Sequence, residues 1–285
     1  LSIVRSKGKV ETKQKEILES RMDARNVVLS GCQQLTISFD SKTLLITLVQ
    51  GVVEIAGVAL RSNQPYHIPP LPFGTRRVVV YSLEGGTIAL TFAEAVDRSQ
   101  QQGSIHVSAK IPTTMVPVLQ LAKREAQKAV ASSGKGVVNF VVIGREGVGK
   151  THVAHTICNT ISRVAQHGPA SNVILCDVNE RGSSFGPGCI TAVEVDDSPL
   201  WPGRMSALDT VHCAFSLGPN VFPHALGQLI EVADRLGGGR DDGRRRAVVY
   251  DIGTPAGGQH DTFFKKVLET VRPSFVLYVG DILPN

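Results

Sequence analysis

Lys150 and Thr151 close the stretch Gly144-Arg145-Glu146-Gly147-Val148-Gly149-Lys150-Thr151. Its spacing, G-x-x-x-x-G-K-[ST], is that of a phosphate-binding loop. In such a loop successive backbone N–H groups turn inward as a nest, at the positive end of the following helix, and wrap a β-phosphate. Gly147 and Gly149 let the phosphate approach where a Cβ would stand in the way. Lys150 reaches the β- and γ-phosphates, and the Thr151 hydroxyl holds Mg²⁺. The candidate nucleotide contacts are Gly144, Glu146, Gly147, Val148, Gly149, Lys150, Thr151 and His152. A nucleoside triphosphate with Mg²⁺ is the expected ligand.

Such a site needs a second carboxylate at the end of a neighbouring strand, to hold the cation or activate a nucleophile. Asp177, Asp251 and, one residue removed, Asp281 close apolar segments that read as strands. Aspartates also occur there as turn or cap residues. Position favours Asp177, at the end of the next strand after the loop helix. Asp177 is therefore the candidate metal ligand beside Thr151, and Asp177 with Lys150 the candidate catalytic pair. His152, His155 and Cys158 share a helical face without a nearby acidic partner, so packing or surface exposure is the expectation over metal binding. The Asn-Lys-x-Asp segment of guanine-selective proteins is absent.

The elements that must hold these residues alternate. Gly136–Ile143 is apolar and rich in β-branched residues, as in a buried parallel strand. His152–Val164 contains no Gly or Pro and repeats apolar residues at Val153, Ile157, Ile161 and Val164, the pattern of a helix. Val173–Cys176, Ala247–Tyr250 and Phe275–Val279 read as further strands, with helices at Phe222–Leu236 and Thr262–Val271. This order predicts a parallel sheet covered by helices on both faces. Met115–Ala131 reads as a preceding helix, broken at Ser132–Gly136.

Upstream the period changes. Gln34–Phe39, Leu44–Val49, Val52–Ile55, Val78–Ser82 and Thr87–Phe92 read as short strands, with turns at Gly51, Gly57, Asn63–Pro65, Pro69–Pro72 and Gly85-Gly86. Ile105–Val107 adds a last one. Evenly spaced strands of this kind predict a small sandwich or barrel. The fold class expected is α/β: a phosphate-loop domain with a parallel sheet, preceded by a small all-β domain. The boundaries are a charged arm at 1–26, a β-domain at 27–110, a linker helix at 111–135 and a nucleotide domain at 136–285.

The 285 residues are 42% hydrophobic and 19% charged, an ordinary globular balance, and the formal net charge of +5 permits an anionic partner such as RNA without demanding one. Five scattered cysteines, none in C-x-x-C spacing, read as reduced thiols in an intracellular protein with no structural zinc. No membrane span is expected, because the longest apolar run, Thr43–Leu60, is interrupted by Gln50, Gly51 and Glu54. The arginine-ended loop Gly237–Arg246 could meet RNA phosphates or simply be solvated. The sequence begins at Leu1 and is read as a trimmed part of a longer protein.

The phosphate loop, then Asp177-Val178-Asn179-Glu180, then Pro187-Gly188 and Ala192, resembles the polynucleotide 5′-hydroxyl kinase family. Val49–Leu60, with Gly51, Glu54-Ile55 and Gly57, is similar to the β-domain of the family's Clp-type branch, the ATP-binding subunits of the pre-mRNA cleavage and polyadenylation complex. Phe215–Gly218 with Pro223 is similar to a further family segment, so the likeness spans residues 30–282. It implies ATP and Mg²⁺ as cofactors, other subunits of that complex as partners, RNA as a possible one, and a nuclear location. In active members Asp177 would accept the proton of the RNA 5′-hydroxyl. The chain departs from the family at Glu180, where the pattern has Gln, and at Asp251-Ile252-Gly253-Thr254, where it has Thr-x-Gly-Trp. The lost Trp is a base-stacking platform worth about 1–3 kcal/mol, and the family's arginine-bearing lid would lie beyond Asn285. These departures favour a nucleotide-stabilised interaction module with weak or no kinase activity. The alternatives are an active RNA 5′-hydroxyl kinase and an unrelated phosphate-loop ATPase.

Overall fold

The computed structural model describes residues 25–40, 42–70, 76–94, 105–107, 111–112, 115–132, 137–165, 171–178, 189–195, 211–216, 222–238, 245–254 and 260–280. The arm at 1–24, Glu180, Pro187-Gly188, Trp201, the centre of the arginine-ended loop and Asp281 lie outside them. By its contacts the chain divides into two units, Leu1–Ile55 with Ala59–Thr113, and Ala56–Val58 with Thr114–Asn285.

The first unit is built from β1 (Arg25–Leu29), β2 (Gln33–Phe39), β3 (Lys42–Ile55), β4 (Val58–Ala59), β5 (Pro65–Ile68), β6 (Arg76–Glu94), β7 (Ile105–Val107) and β8 (Ile111–Pro112). They form one eight-stranded sheet, with β3 and β6 at its centre. Alternation supplies the core. Leu44, Ile46 and Leu48 of β3 and Val78, Val80, Ile88 and Leu90 of β6 are buried, while the alternate residues Leu45, Thr47, Val79 and Ala89 are only half-buried. The Tyr81 hydroxyl, itself buried, donates to Glu54 Oε2 at 2.8 Å.

Here the structure corrects two expected turns. Gly51 and Gly85-Gly86 do not end strands; β3 and β6 run through them for 14 and 19 residues. The two strands approach so closely there that side chains do not fit. Gly51 pairs with Gly86, and a Cβ on Gly51, at φ +81°, would meet Gly85 O at 2.5 Å. The register slips between Leu48 and Gln50 and again between Val52 and Glu54. These are β-bulges, which bend a strand without ending it. A glycine flanked by β-formers reads the same in a turn and in a bend.

The second unit begins with α1 (Met115–Ser132) and continues with β9 (Val137–Gly144), α2 (Lys150–Ala165), β10 (Ser171–Val178), β11 (Cys189–Val195) and β12 (Val211–Ser216). It continues through α3 (Phe222–Gly238), β13 (Arg245–Ile252), α4 (His260–Val271) and β14 (Phe275–Val279). The sheet order is β12-β11-β10-β13-β9-β14. Residues of α3 and α4, among them Leu226, Leu229 and Val267, pack on Val141, Ile174, Cys176, Val248 and Tyr250. Since strand side chains alternate, the intervening Phe140, Val142, Leu175 and Val249 face the opposite side, where α2 packs on β9, β10 and β13 and α1 packs on α2. Phe140 also stacks on Phe275 at 5.1 Å. β14 is an edge strand, with Val276 and Tyr278 48% and 46% exposed.

The sheet is mixed rather than parallel throughout. β10–β13, β13–β9 and β9–β14 are parallel, but β10–β11 and β11–β12 are antiparallel. The positions between Val178 and Cys189 are fewer than the dozen or so that a parallel crossover needs. The chain therefore returns as an antiparallel neighbour. β11 and β12 were not foreseen, since no helix separates β10 from β11 or β11 from β12 among the described residues.

Candidate functional site

The site grows from the end of β9. Gly144, Gly147 and Gly149 adopt φ of +153°, +78° and +92°, conformations that a side chain disfavours. At Gly144 the reason is also spatial: it pairs with Val279 of β14, and a Cβ would collide with the Val279 carbonyl. At Gly147 nothing lies within 4 Å of the Cβ position, so a side chain there would stand in open space. α2 starts immediately afterwards, with Val153 N–H donating to Gly149 O at 3.1 Å. Its first turn carries no acidic side chain. The positive end of the helix is thus left for an external anion.

Lys150 folds back into this loop. Its ammonium donates to Arg145 O at 2.7 Å and to Thr254 Oγ1 at 3.1 Å, and the Thr254 hydroxyl in turn donates to Gly144 O at 3.2 Å. Lys150 is 9% exposed. Burial lowers its basicity, opposed by the charges of Asp251 and Glu146. A desolvated ammonium whose hydrogen bonds, among the described residues, go to neutral oxygens can bring its charge to an incoming phosphate.

Asp251 stands across from it. Burial raises its carboxyl to about 6, against the lowering effects of a hydrogen bond from Thr151 and the charge of Lys150. Together Glu146, Gly147, Gly149, Lys150, Thr151, Asp251 and Gly253 line an open cleft of about 290 Å³. This arrangement suits the phosphates of a nucleotide and one divalent cation. It combines a concave loop, a helix start, one buried ammonium, and a hydroxyl beside a carboxylate.

Asp177 is placed one strand further out. β13 lies between β9 and β10, so Asp251 neighbours the loop's strand at Val142, while Asp177 pairs with Asp251 on one side and Thr191 on the other. The Asp177 side chain is 5% exposed and is on the same face as Asp251, toward α2. Thr254 as the partner of Lys150 was missed by sequence reasoning, which weighed it only as the absence of a Trp. The sequence signal for Asp251 was the run Ala247–Tyr250, whose burial on both faces marks a central strand.

His155 is buried in α2 and His152, one turn earlier, is half-buried. Burial lowers both imidazoles to about 4, with His152 adding a repulsion at His155, and pushes the Cys158 thiol upward. Among the described residues no group of three His, Cys, Asp or Glu is placed to hold a metal. Among them, too, no helix is long and apolar enough to cross a membrane.

Comparison with known proteins gives the site its context. No family model matches the chain. Protein clpf-1 of Caenorhabditis briggsae is 26% identical over 170 residues, 58% of this chain and 36% of that protein. The match thus spans about a third of that relative's length. Among solved structures, Clp1p in complex with residues 454–563 of Pcf11p matches with a TM-score of 0.65 at 15% identity, covering 92% of this chain and 61% of that one. A second Clp1p structure, addressing its extended interface with Pcf11p and a point mutant that loses ATP, gives 0.63 at 15% identity over 90% and 60%. The chain has the fold of Clp1p.

Proposed function

We propose that this chain is a Clp-type ATP-binding subunit of the nuclear mRNA 3′-end cleavage and polyadenylation machinery, acting mainly as a nucleotide-stabilised interaction module. The observation that carries the nucleotide part is the glycine loop itself. Gly147 and Gly149 at positive φ, the start of a helix with no acidic side chain in its first turn, and the buried Lys150 come together at one cleft. The likeness in sequence to clpf-1 and in fold to Clp1p supports the cellular role.

The backbone from Gly144 to His152 would hold the β-phosphate, Lys150 the β- and γ-phosphates, and Thr151 the Mg²⁺, which supplies charge neutralisation when bound. A ligand that binds only the folded state stabilises it by about 2.7 kcal/mol at a hundredfold excess over Kd. The test is ATP-induced stabilisation and capture of a Pcf11-like partner by the wild type and by Lys150→Ala. The reading expects both to weaken together in the variant. A variant that no longer binds ATP yet keeps the wild-type partner affinity would sink it.

An active RNA 5′-hydroxyl kinase is the second reading, favoured by the buried Asp177 at the strand end beside Asp251. Asp177 would then take the hydroxyl proton. Transfer of labelled phosphate from ATP to a 5′-hydroxyl RNA oligonucleotide, abolished in Lys150→Ala and Asp177→Asn, would establish it. Tight ATP binding without transfer leaves the module reading.

A further inference from the structure

The family resemblance points to Asp177 as the carboxylate of the site; the geometry of this chain points elsewhere. Three observations converge on Asp251. It ends the strand hydrogen-bonded to β9, from which the glycine loop springs, whereas Asp177 is separated from β9 by β13. It accepts a hydrogen bond from Thr151, the residue whose hydroxyl faces the cation in a loop of this type. And it lines the cleft with Lys150 and Thr151. At the same position the resembled family segment has a threonine, so this carboxylate is the chain's own.

We infer that Asp251, with Thr151, is the protein's hold on the nucleotide-bound divalent cation, and that this makes nucleotide binding by this chain strongly dependent on that cation. The inference rests on the nucleotide-binding reading above. Its physical basis is charge. The cleft is lined by two carboxylates, Glu146 and the buried Asp251, and by one ammonium. A triphosphate entering alone meets those like charges, while one carrying a divalent cation brings the counter-charge with it. Hard cations of this kind are held by one or two carboxylates plus the phosphate oxygens, not by a protein cage.

The experiment is calorimetric titration of ATP into the full chain, in Mg²⁺ and in EDTA, for the wild type, Asp251→Asn and Asp177→Asn. In the wild type Mg²⁺ should tighten ATP binding strongly. Asp251→Asn should lose about 10–100-fold of that gain, while its metal-free affinity stays equal to or above that of the wild type because a repelling charge is gone. Asp177→Asn should keep the gain within about threefold, the margin of a residue outside the cation's shell. Asp251→Ser, smaller and also neutral, makes the same comparison if the Asn variant folds poorly. Full retention of the Mg²⁺ gain without the Asp251 carboxylate, or its loss in Asp177→Asn, overturns the assignment. A wild type that binds no ATP in either condition overturns the nucleotide reading and this inference with it.

Discussion

Acidification should loosen the second unit, and the helix behind the glycine loop sets how much. His155 is buried and His152 half-buried, and desolvation holds both imidazoles at about 4 against an ordinary 6.5. At pH 5 the unfolded chain has protonated both almost fully, while in the folded chain each is only about one-tenth protonated. The unfolded state binds more protons throughout that range, so stability falls as pH drops. The linkage comes to about 2 kcal/mol for each histidine between pH 7 and pH 5. Asp251 works the other way. Its folded carboxyl, raised to about 6 from 3.8, takes up a proton before the unfolded one does and returns about 1 kcal/mol over the same interval. The net expectation is a loss of about 3 kcal/mol. Urea titrations at pH 7, 6 and 5, followed by circular dichroism without nucleotide, measure it. His155→Gln should remove about two-thirds of the net acid sensitivity. Asp251→Asn should deepen it, since the offsetting proton uptake is gone. A stability unchanged from pH 7 to pH 5, or a His155→Gln protein as acid-sensitive as the wild type, would refute the premise that these imidazoles are desolvated and neutral.

Other expectations follow from single contacts. Gly144→Ala drives a methyl group into the Val279 carbonyl and should cost about 3 kcal/mol or more, read as a lower urea midpoint. Gly147→Ala meets nothing within 4 Å, so it should cost only the roughly 1–2 kcal/mol of a positive φ while occupying the phosphate's space and weakening ATP binding in calorimetry. Phe140→Ala, emptying a fully buried site stacked on Phe275, should lose about 3–5 kcal/mol in the same titration. Lys150→Ala should leave stability without nucleotide within about 1 kcal/mol of wild type, because the buried ammonium it removes is desolvated and joined only to neutral oxygens.

What the sequence made legible was local. The glycine loop, the strand before it and the helix after it are contiguous, and their conformation is written in glycine spacing and apolar period. What it hid depends on strands meeting from afar. Asp177 follows the loop helix directly and so looked nearest, yet β13, some seventy residues later, inserts between β9 and β10 and brings Asp251 to Thr151 instead. Chain order cannot show such an insertion; only the strongly apolar Ala247–Tyr250 hinted that its strand is central. Gly51 and Gly86 were misread for the same reason, since the demand for glycine comes from the partner strand and not from the chain on either side. The histidines of α2, one buried and one half-buried, were foreseen only as packing or surface, because burial of a helix side chain requires knowing what covers it.

β14 leaves one side of its backbone without a neighbouring strand in the described sheet. Its sequence, Phe275-Val276-Leu277-Tyr278-Val279, is five β-forming residues without a charge. Natural edges are usually blunted by lysine, proline or a bulge; here the nearest such residues, Arg272 and Pro273, precede the strand rather than interrupt it. Solutions of this 285-residue chain should therefore be sensitive to concentration. Two copies can extend each other's sheets through this edge, and a lysine in place of the exposed Val276 is the simplest way to keep them apart.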